Sequence, residues 1–283
     1  MKISDILPKT TQFFKEKNLG SPRLDAEILI SWALGWRRLE LYLKHDYPLS
    51  NEELEKCRNV VRRRSSGEPV AYILGEKDFY GRTFKVGPQV LIPRPETEHL
   101  IETLNRWSGE NNKRDFAAYD LGSGSGCIAH TVALEFSEST VVAVEKSVDA
   151  ADIWKINKGN LESRAELQHD DVVDFLKNQN SMVDVILANP PYIAESDPKV
   201  CPSVRKFEPS IALFAEDDGK KCIFDWSRLA FEKLKPGGLI AFEIGADQGT
   251  AAKGHFESLG FDQVHVEKDL AGFDRIVRGI KTH

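Results

Sequence analysis

The chain has 283 residues, of which 41% are hydrophobic and 29% charged, and a formal net charge of −6. This is room for one large domain or two smaller ones, and the composition excludes a disordered chain. No apolar run approaches the roughly 20 residues of a membrane-spanning helix, Met1-Lys2-Ile3-Ser4-Asp5 lacks a secretory apolar region, and the acidic balance argues against a sequence-independent nucleic-acid binder.

Residues 1–75 carry 13 Lys/Arg against 10 Asp/Glu, and the remainder 25 against 34, so a basic segment precedes an acidic one. The basic segment reads as helical. Ile3, Ile6, Leu7, Phe13 and Phe14 follow helical spacing, Ser21-Pro22 opens a helix that Gly35 can close, and Ser50 with Glu53 forms a capping box for a helix running to about Gly67. Short amphipathic helices must bury their stripes against each other, which predicts a small all-α bundle. Phe79 to Val86 then reads as two short strands turning near Gly81, and helical pattern resumes over Glu96–Trp107.

From Phe116 onward strands and helices alternate. The expected strands are Ala117–Leu121, Thr140–Glu145, Glu166–His169, Val183–Ala188, Leu239–Ile244, Gln263–Glu267 and Arg275–Val277. Helical stretches between the first four predict parallel β-α-β crossovers, and the short turn at Leu270-Ala271-Gly272 allows an antiparallel pair at one edge. The organisation expected is a helical substrate-docking domain over residues 1–75, a β-hairpin linker over 76–95, and a catalytic domain over 96–283.

Asp120-Leu121-Gly122-Ser123-Gly124-Ser125-Gly126 follows the first of these strands and opens a helix. Glycines permit a tight turn and close approach of a ligand to the backbone. The third glycine comes one residue too early for a dinucleotide fingerprint, and the spacing suits a ligand without a pyrophosphate, such as S-adenosylmethionine. Glu145, ending the second strand, is placed to accept hydrogen bonds from both ribose hydroxyls. Of Asp170 and Asp171, which end the third, one can face the adenine amino group while the other caps a helix.

Asn189-Pro190-Pro191-Tyr192 follows the fourth strand. Two prolines remove two backbone donors and stiffen the turn, which would present the Asn189 side-chain oxygen and the Pro190 carbonyl as fixed acceptors. A planar NH₂ group has two N–H bonds for them to hold, and Tyr192 offers a flat face for stacking. Such nitrogens are poor nucleophiles because the lone pair is delocalised, so preorganised acceptors favour the charge that builds as a methyl group arrives. Asn189, Pro190 and Tyr192 are the expected catalytic residues, and Asn189 also neighbours the cofactor. These residues leave glutamine, adenine and guanine open as the acceptor.

Ile92-Pro93-Arg94-Pro95-Glu96-Thr97-Glu98, the glycine turn, Asn189 to Tyr192, Val204 to Pro209, Ala212 to Gly219, Lys235-Pro236-Gly237-Gly238 and Asp269 to Arg275 occur in that order. With Ser21 to Glu27 and Gly67 to Gly75, this set resembles the peptide chain release factor glutamine methyltransferases (the PrmC/HemK family) over nearly the whole chain. The resemblance implies an α/β fold: a seven-stranded, Rossmann-like class I S-adenosylmethionine-dependent methyltransferase sheet behind a helical bundle and a β-hairpin. It implies methyl transfer to the glutamine of the Gly-Gly-Gln motif in class I release factors, with Gly122 to Gly126 and Glu145 holding the cofactor and Asn189 to Tyr192 gripping the glutamine amide. Pro93-Arg94-Pro95-Glu96 favours this family over the related one that methylates a ribosomal protein. Many members carry Asp where this chain has Glu145, a difference of one methylene.

Two alternatives are an amino-methyltransferase acting on adenine or guanine of nucleic acid, and a module that binds release factors without modifying them. The acidic catalytic part opposes the first, and the intact Asn189 to Tyr192 motif opposes the second. Cys57, Cys127, Cys201 and Cys222 are far apart, so reduced thiols in a cytosolic protein are expected, with no metal and no membrane partner. Arg58 with Arg62-Arg63-Arg64 is either a solvated helix face or a surface for an acidic protein partner. The turn-rich stretch 193–209 reads as a lid, with Phe207-Glu208-Pro209 closing on the bound glutamine, Arg94 and Glu98 organising the entrance, and His130 packing.

Overall fold

The computed structural model describes residues 1–282. By its internal contacts the chain falls into two units, Met1–Glu76 with Pro202–Phe207, and Lys77–Cys201 with the chain from Glu208 onward.

The first unit is built from α1 (Ile3–Glu16), α2 (Pro22–Leu34), α3 (Glu40–Leu43), α4 (Asn51–Ser65) and α5 (Val70–Leu74). Proline at the first position opens α2, and Gly35, at φ 68°, ends it in the left-handed conformation that favours glycine. At the start of α4, the Ser50 hydroxyl accepts from the Glu53 N–H (3.2 Å) and the Glu53 carboxylate accepts from the Ser50 N–H (2.8 Å). The apolar stripes meet in two clusters, one around Ile3, Ile30, Leu41 and Cys57, the other around Phe14, Leu29, Val60 and Ile73. The arginine cluster of α4 is largely engaged inside the unit: Arg58 pairs with Glu55, Arg63 forks onto Glu68, and Arg64 lies 2.8 Å from Asp25.

In the second unit, β1 (Glu76–Phe79) and β2 (Arg82–Lys85) form a hairpin. Its turn passes through Tyr80 and Gly81 at φ 48° and 73°, the twist that two-residue hairpin loops need. The rings of Phe79 and Phe84 meet edge to face at 6.1 Å, and both are buried in the core of this unit. After α6 (Glu98–Glu110) the chain runs through β3 (Ala117–Leu121), α7 (Cys127–Glu135), β4 (Thr140–Glu145), α8 (Val148–Leu161), β5 (Glu166–His169), α9 (Val172–Asn178) and β6 (Val183–Ala188). After α10 (Pro202–Phe207), which belongs to the first unit, it continues with α11 (Ser210–Leu213), α12 (Lys221–Lys233), β7 (Leu234–Glu243), α13 (Gly249–Leu259), β8 (Phe261–Lys268) and β9 (Asp274–Lys281).

The seven strands lie in the order β5-β4-β3-β6-β7-β9-β8, parallel from β5 to β7 and antiparallel where β9 meets β7 and β8. Leu100, Leu104, Ile128 and Trp154 cover one face, and Phe175, Ile223 and Phe256 the other. The strand β7 begins at Leu234, earlier than expected. Lys235-Pro236-Gly237-Gly238 reads as a turn but is carried as an irregularity, with Leu234 opposite Val183 and Leu239 opposite Val185. β9 likewise extends well beyond Val277, because pairing with β7 runs on through Arg278 to Ile280.

Register levels the carboxyl ends of the central strands: Leu121 sits opposite both Val144 and Ala188, and Glu145 opposite His169. At the other end, the buried Asp184 carboxylate accepts from the Ala117 N–H (2.9 Å) and pairs with Lys113 (2.6 Å) and Lys235 (3.0 Å). Burial pushes the acidity of Asp184 down, but the lysines and the amide outweigh it and hold the carboxyl below its usual range. The stability this supplies is present above the unfolded-state value and lost as pH falls below it. Asp184→Asn should therefore cost about 1–3 kcal/mol at neutral pH, a deficit that shrinks below about pH 3.8; denaturant unfolding at several pH values measures both.

Candidate functional site

The turn after β3 is built from left-handed glycines, Gly122, Gly124 and Gly126, at φ 72°, 56° and 82°. The N–H groups of Gly122 and Ser123 donate to the Val144 carbonyl at 2.9 and 3.0 Å, fastening the loop to β4. A Cβ on Gly126 would stand 2.6 Å from the His130 ring and 2.7 Å from Trp154, whereas one on Gly124 would meet nothing within 4 Å. The loop is thus packed from beneath and open above. Asp120 supports it by accepting from the Ser123 hydroxyl and the Ala129 N–H, and the Trp154 indole donates to the Ser123 hydroxyl at 3.2 Å. Burial pushes Asp120 up to about 7 against those hydrogen bonds. Burial likewise lowers His130 to about 4, so its ring is a neutral packing group, with Nε2 3.2 Å from the Trp154 carbonyl.

Glu145 ends β4 and ties the loop to α8, accepting from the Gly124 N–H (2.9 Å) and the Ser147 N–H (2.8 Å). Beside it opens a cavity of about 460 Å³, walled by Gly122 to Ser125, Glu145, Asp171, Asn189 and Pro191. The two aspartates divide. Asp171 lines the cavity and also caps α9, accepting from the Val173 N–H at 2.8 Å, while Asp170 lies outside the lining and accepts from the Asp171 N–H.

Asn189 emerges from β6 into the same wall. Its Nδ2 donates to the Thr97 hydroxyl at 3.1 Å, the Thr97 hydroxyl donates to Glu243 Oε2 at 2.6 Å, and the Tyr192 hydroxyl donates to Glu243 Oε1 at 3.0 Å. The Asn189 oxygen, by contrast, is buried with no hydrogen-bond partner among the described residues. A buried amide oxygen left unpaired costs free energy, which marks it as an acceptor kept for something that binds. Pro190 and Tyr192 do not line the cavity: Pro190 is buried, and Tyr192 packs against the core with its hydroxyl turned to Glu243. The stacking face expected of Tyr192 therefore lies behind the cavity wall. Burial raises both Glu243 and the Tyr192 phenol, and Arg275 opposes the rise at each.

Thr97 and Glu243 are the site residues that motif reading missed. The available signal was a single acid closing the apolar run of β7, and a threonine inside Arg94 to Glu98. Arg94 lines the cavity and pairs with Glu208, whose buried carboxylate also accepts from the Ile92 N–H at 3.2 Å. Glu208 lies outside the lining and props the loop that carries Arg94. Glu98 accepts from the Tyr80 N–H at 2.8 Å and serves the hairpin. Within the stretch expected to be a lid, Ile193 is fixed by its N–H to the Leu213 carbonyl and its own carbonyl to the Ala215 N–H.

Residues 5–75 match the family model described as the PrmC N-terminal domain, and residues 95–205 match the methyltransferase small domain. The chain is 38% identical to the release factor glutamine methyltransferase of Neisseria gonorrhoeae over 91% of its length and 93% of that protein. It is 38% identical to the one from Rhodopirellula baltica, covering 97% and 95%. Among solved structures, a T. thermophilus 16S rRNA methyltransferase in complex with AdoMet and guanosine superposes with a TM-score of 0.54 at 19% identity, over 73% of this chain and 49% of that one. At that identity the likeness concerns the fold alone.

Gly126→Ala should destabilise the protein by about 2–4 kcal/mol, through backbone strain together with overpacking against His130 and Trp154. Gly124→Ala, with open space but positive φ, should cost less. Chemical denaturation of the two variants side by side checks the order.

Proposed function

Since the chain belongs to the release factor glutamine methyltransferase family, we propose that it transfers a methyl group from S-adenosylmethionine to the side-chain amide nitrogen of the glutamine in the Gly-Gly-Gln motif of class I peptide chain release factors. The observation that carries this reading is the buried, unpartnered oxygen of Asn189 in the wall of a cavity that also holds the glycine turn and the Glu145 carboxylate. The residues suit the cofactor. Gly122 to Gly126 leave backbone room for an amino-acid tail, Glu145 has lone pairs left for ribose hydroxyls, and Asp171 is the acid available to the adenine amino group.

When bound, S-adenosylmethionine supplies an electrophilic methyl on a sulfonium. The protein's part is to position the nucleophile and stabilise charge. Asn189 Oδ1 accepts one N–H of the glutamine amide, which aims the nitrogen and favours positive charge on it. Pro191 and the buried Pro190 stiffen this turn, and Tyr192 braces it from behind through Glu243. No base is needed before transfer, because the proton can leave once the nitrogen is alkylated. The helical unit is assigned to docking the release factor, a substrate that works on the ribosome, which makes the cytosol the place of action. The names of the relatives favour this acceptor over an exocyclic amine of adenine or guanine and over a non-catalytic module.

Intact-mass and fragment-ion spectrometry after incubation with S-adenosylmethionine and a purified release factor tests the proposal. One added methyl on the Gly-Gly-Gln glutamine is expected, with Asn189→Ala at least about a hundredfold slower. Methyl on an RNA or DNA control and none on the factor would overturn it.

A further inference from the structure

The chain Tyr192–Glu243–Thr97–Asn189 has a directional logic that the motif alone does not contain. A threonine hydroxyl has one proton, and the Glu243 carboxylate holds it at 2.6 Å. Thr97 can then only accept from its other neighbour, so it must be met by the NH₂ end of the Asn189 amide, as it is at 3.1 Å. Turning the amide over would set two acceptors against each other and aim two donors into the cavity. Resting on the function proposed above, we propose that Thr97 and Glu243 are positioning residues whose hydrogen bonds fix the Asn189 amide with its oxygen, and not its nitrogen, toward the substrate amide.

Three features beyond the contact distances support this. Glu243 ends β7, directly after Phe242, which pairs with Ala188 and so stands beside the residue preceding Asn189. The carboxylate therefore reaches the site from a neighbouring rigid strand and not from a loop. Tyr192 occupies its second oxygen, so both acceptor atoms are committed and the Thr97 proton has no competitor for its place. Finally, the Asn189 oxygen is the one polar atom of this chain of contacts left without a partner. The network is satisfied everywhere except at the point where a substrate N–H would enter. An apolar residue at 243 would spare the protein a buried acid, yet it would free the Thr97 proton, so that the Asn189 amide could turn over, accept that proton on Oδ1 and present its NH₂ to the cavity.

The test compares Thr97→Val, Thr97→Ser and Glu243→Met with the unaltered protein. kcat and KM are measured for a release factor, cofactor affinity by calorimetry, and the Asn189 side-chain NH₂ by nuclear magnetic resonance of asparagine-labelled protein, assigned with Asn189→Ala. Thr97→Val and Glu243→Met should lower kcat about tenfold or more, with KM and cofactor affinity within about threefold. Thr97→Ser, which keeps the hydroxyl, should stay within about threefold of the unaltered protein throughout. The Asn189 NH₂ pair should be resolved and slow to exchange in the unaltered protein and in Thr97→Ser, and lose that protection in Thr97→Val. A loss confined to KM or cofactor affinity, equal damage from serine and valine, or an unchanged NH₂ pair in Thr97→Val would each overturn the proposal. Should Glu243→Met not fold, the two Thr97 variants decide alone. If the unaltered protein methylates no release factor, the functional reading fails, and the resonance experiment still decides the network.

Discussion

Everything at the site depends on the pairing register of the central parallel strands. Because Leu121 lies opposite both Val144 and Ala188, the residues that follow these three, Gly122, Glu145 and Asn189, emerge at one level. A slip of one residue in β4 or β6 would turn their side chains to the other face of the sheet and remove them from the cavity. Register in turn rests on strands buried on both faces: all six residues of β6 are buried, so any displacement would leave apolar side chains without partners. The sheet thereby delivers chemistry to its carboxyl edge, where open α/β sheets bind ligands.

On that frame the structure accepts two local costs. One is backbone conformation, with three glycines at positive φ in a five-residue turn, held from below by Trp154, Ser123 and Asp120. The other is a fully buried carboxylate, Glu243, whose burial is only partly offset by two hydroxyl donors and the charge of Arg275. Neither is needed to complete the hydrophobic core. Both are explained by what they hold in place, a bare stretch of backbone and an amide oxygen with no partner.

Much of the architecture could be read directly from residue patterns, and the reasons differ by element. The bounds of β3, β4, β5 and β6 coincide with expectation because a short apolar run ends at glycine, acid or Asn-Pro punctuation in three of them. β7 starts earlier than its apolar run suggests, because Pro236-Gly237-Gly238 carries turn chemistry that the sheet absorbs as an irregularity. The glycine turn, Glu145 and Asn189 were found because local sequence states their geometry. Thr97 and Glu243 were not, since they are 146 residues apart and neither belongs to a periodic pattern. The same holds for Arg94 and Glu208, 114 residues apart, and for the inward turn of Tyr192, which follows from Glu243 and not from its own neighbours. Partnerships across the sheet are a property of topology, and a motif describes only one side of them.

The central claim is that Asn189 Oδ1 is the acceptor that orients the substrate nitrogen. The most direct measurement is a crystal structure with S-adenosylhomocysteine and a peptide containing Gly-Gly-Gln. The account predicts the glutamine amide nitrogen within hydrogen-bond distance of Asn189 Oδ1, about 2.7–3.2 Å, with Asn189 Nδ2 still on Thr97. A glutamine nitrogen held by other groups, with the Asn189 oxygen still unpartnered, would contradict it.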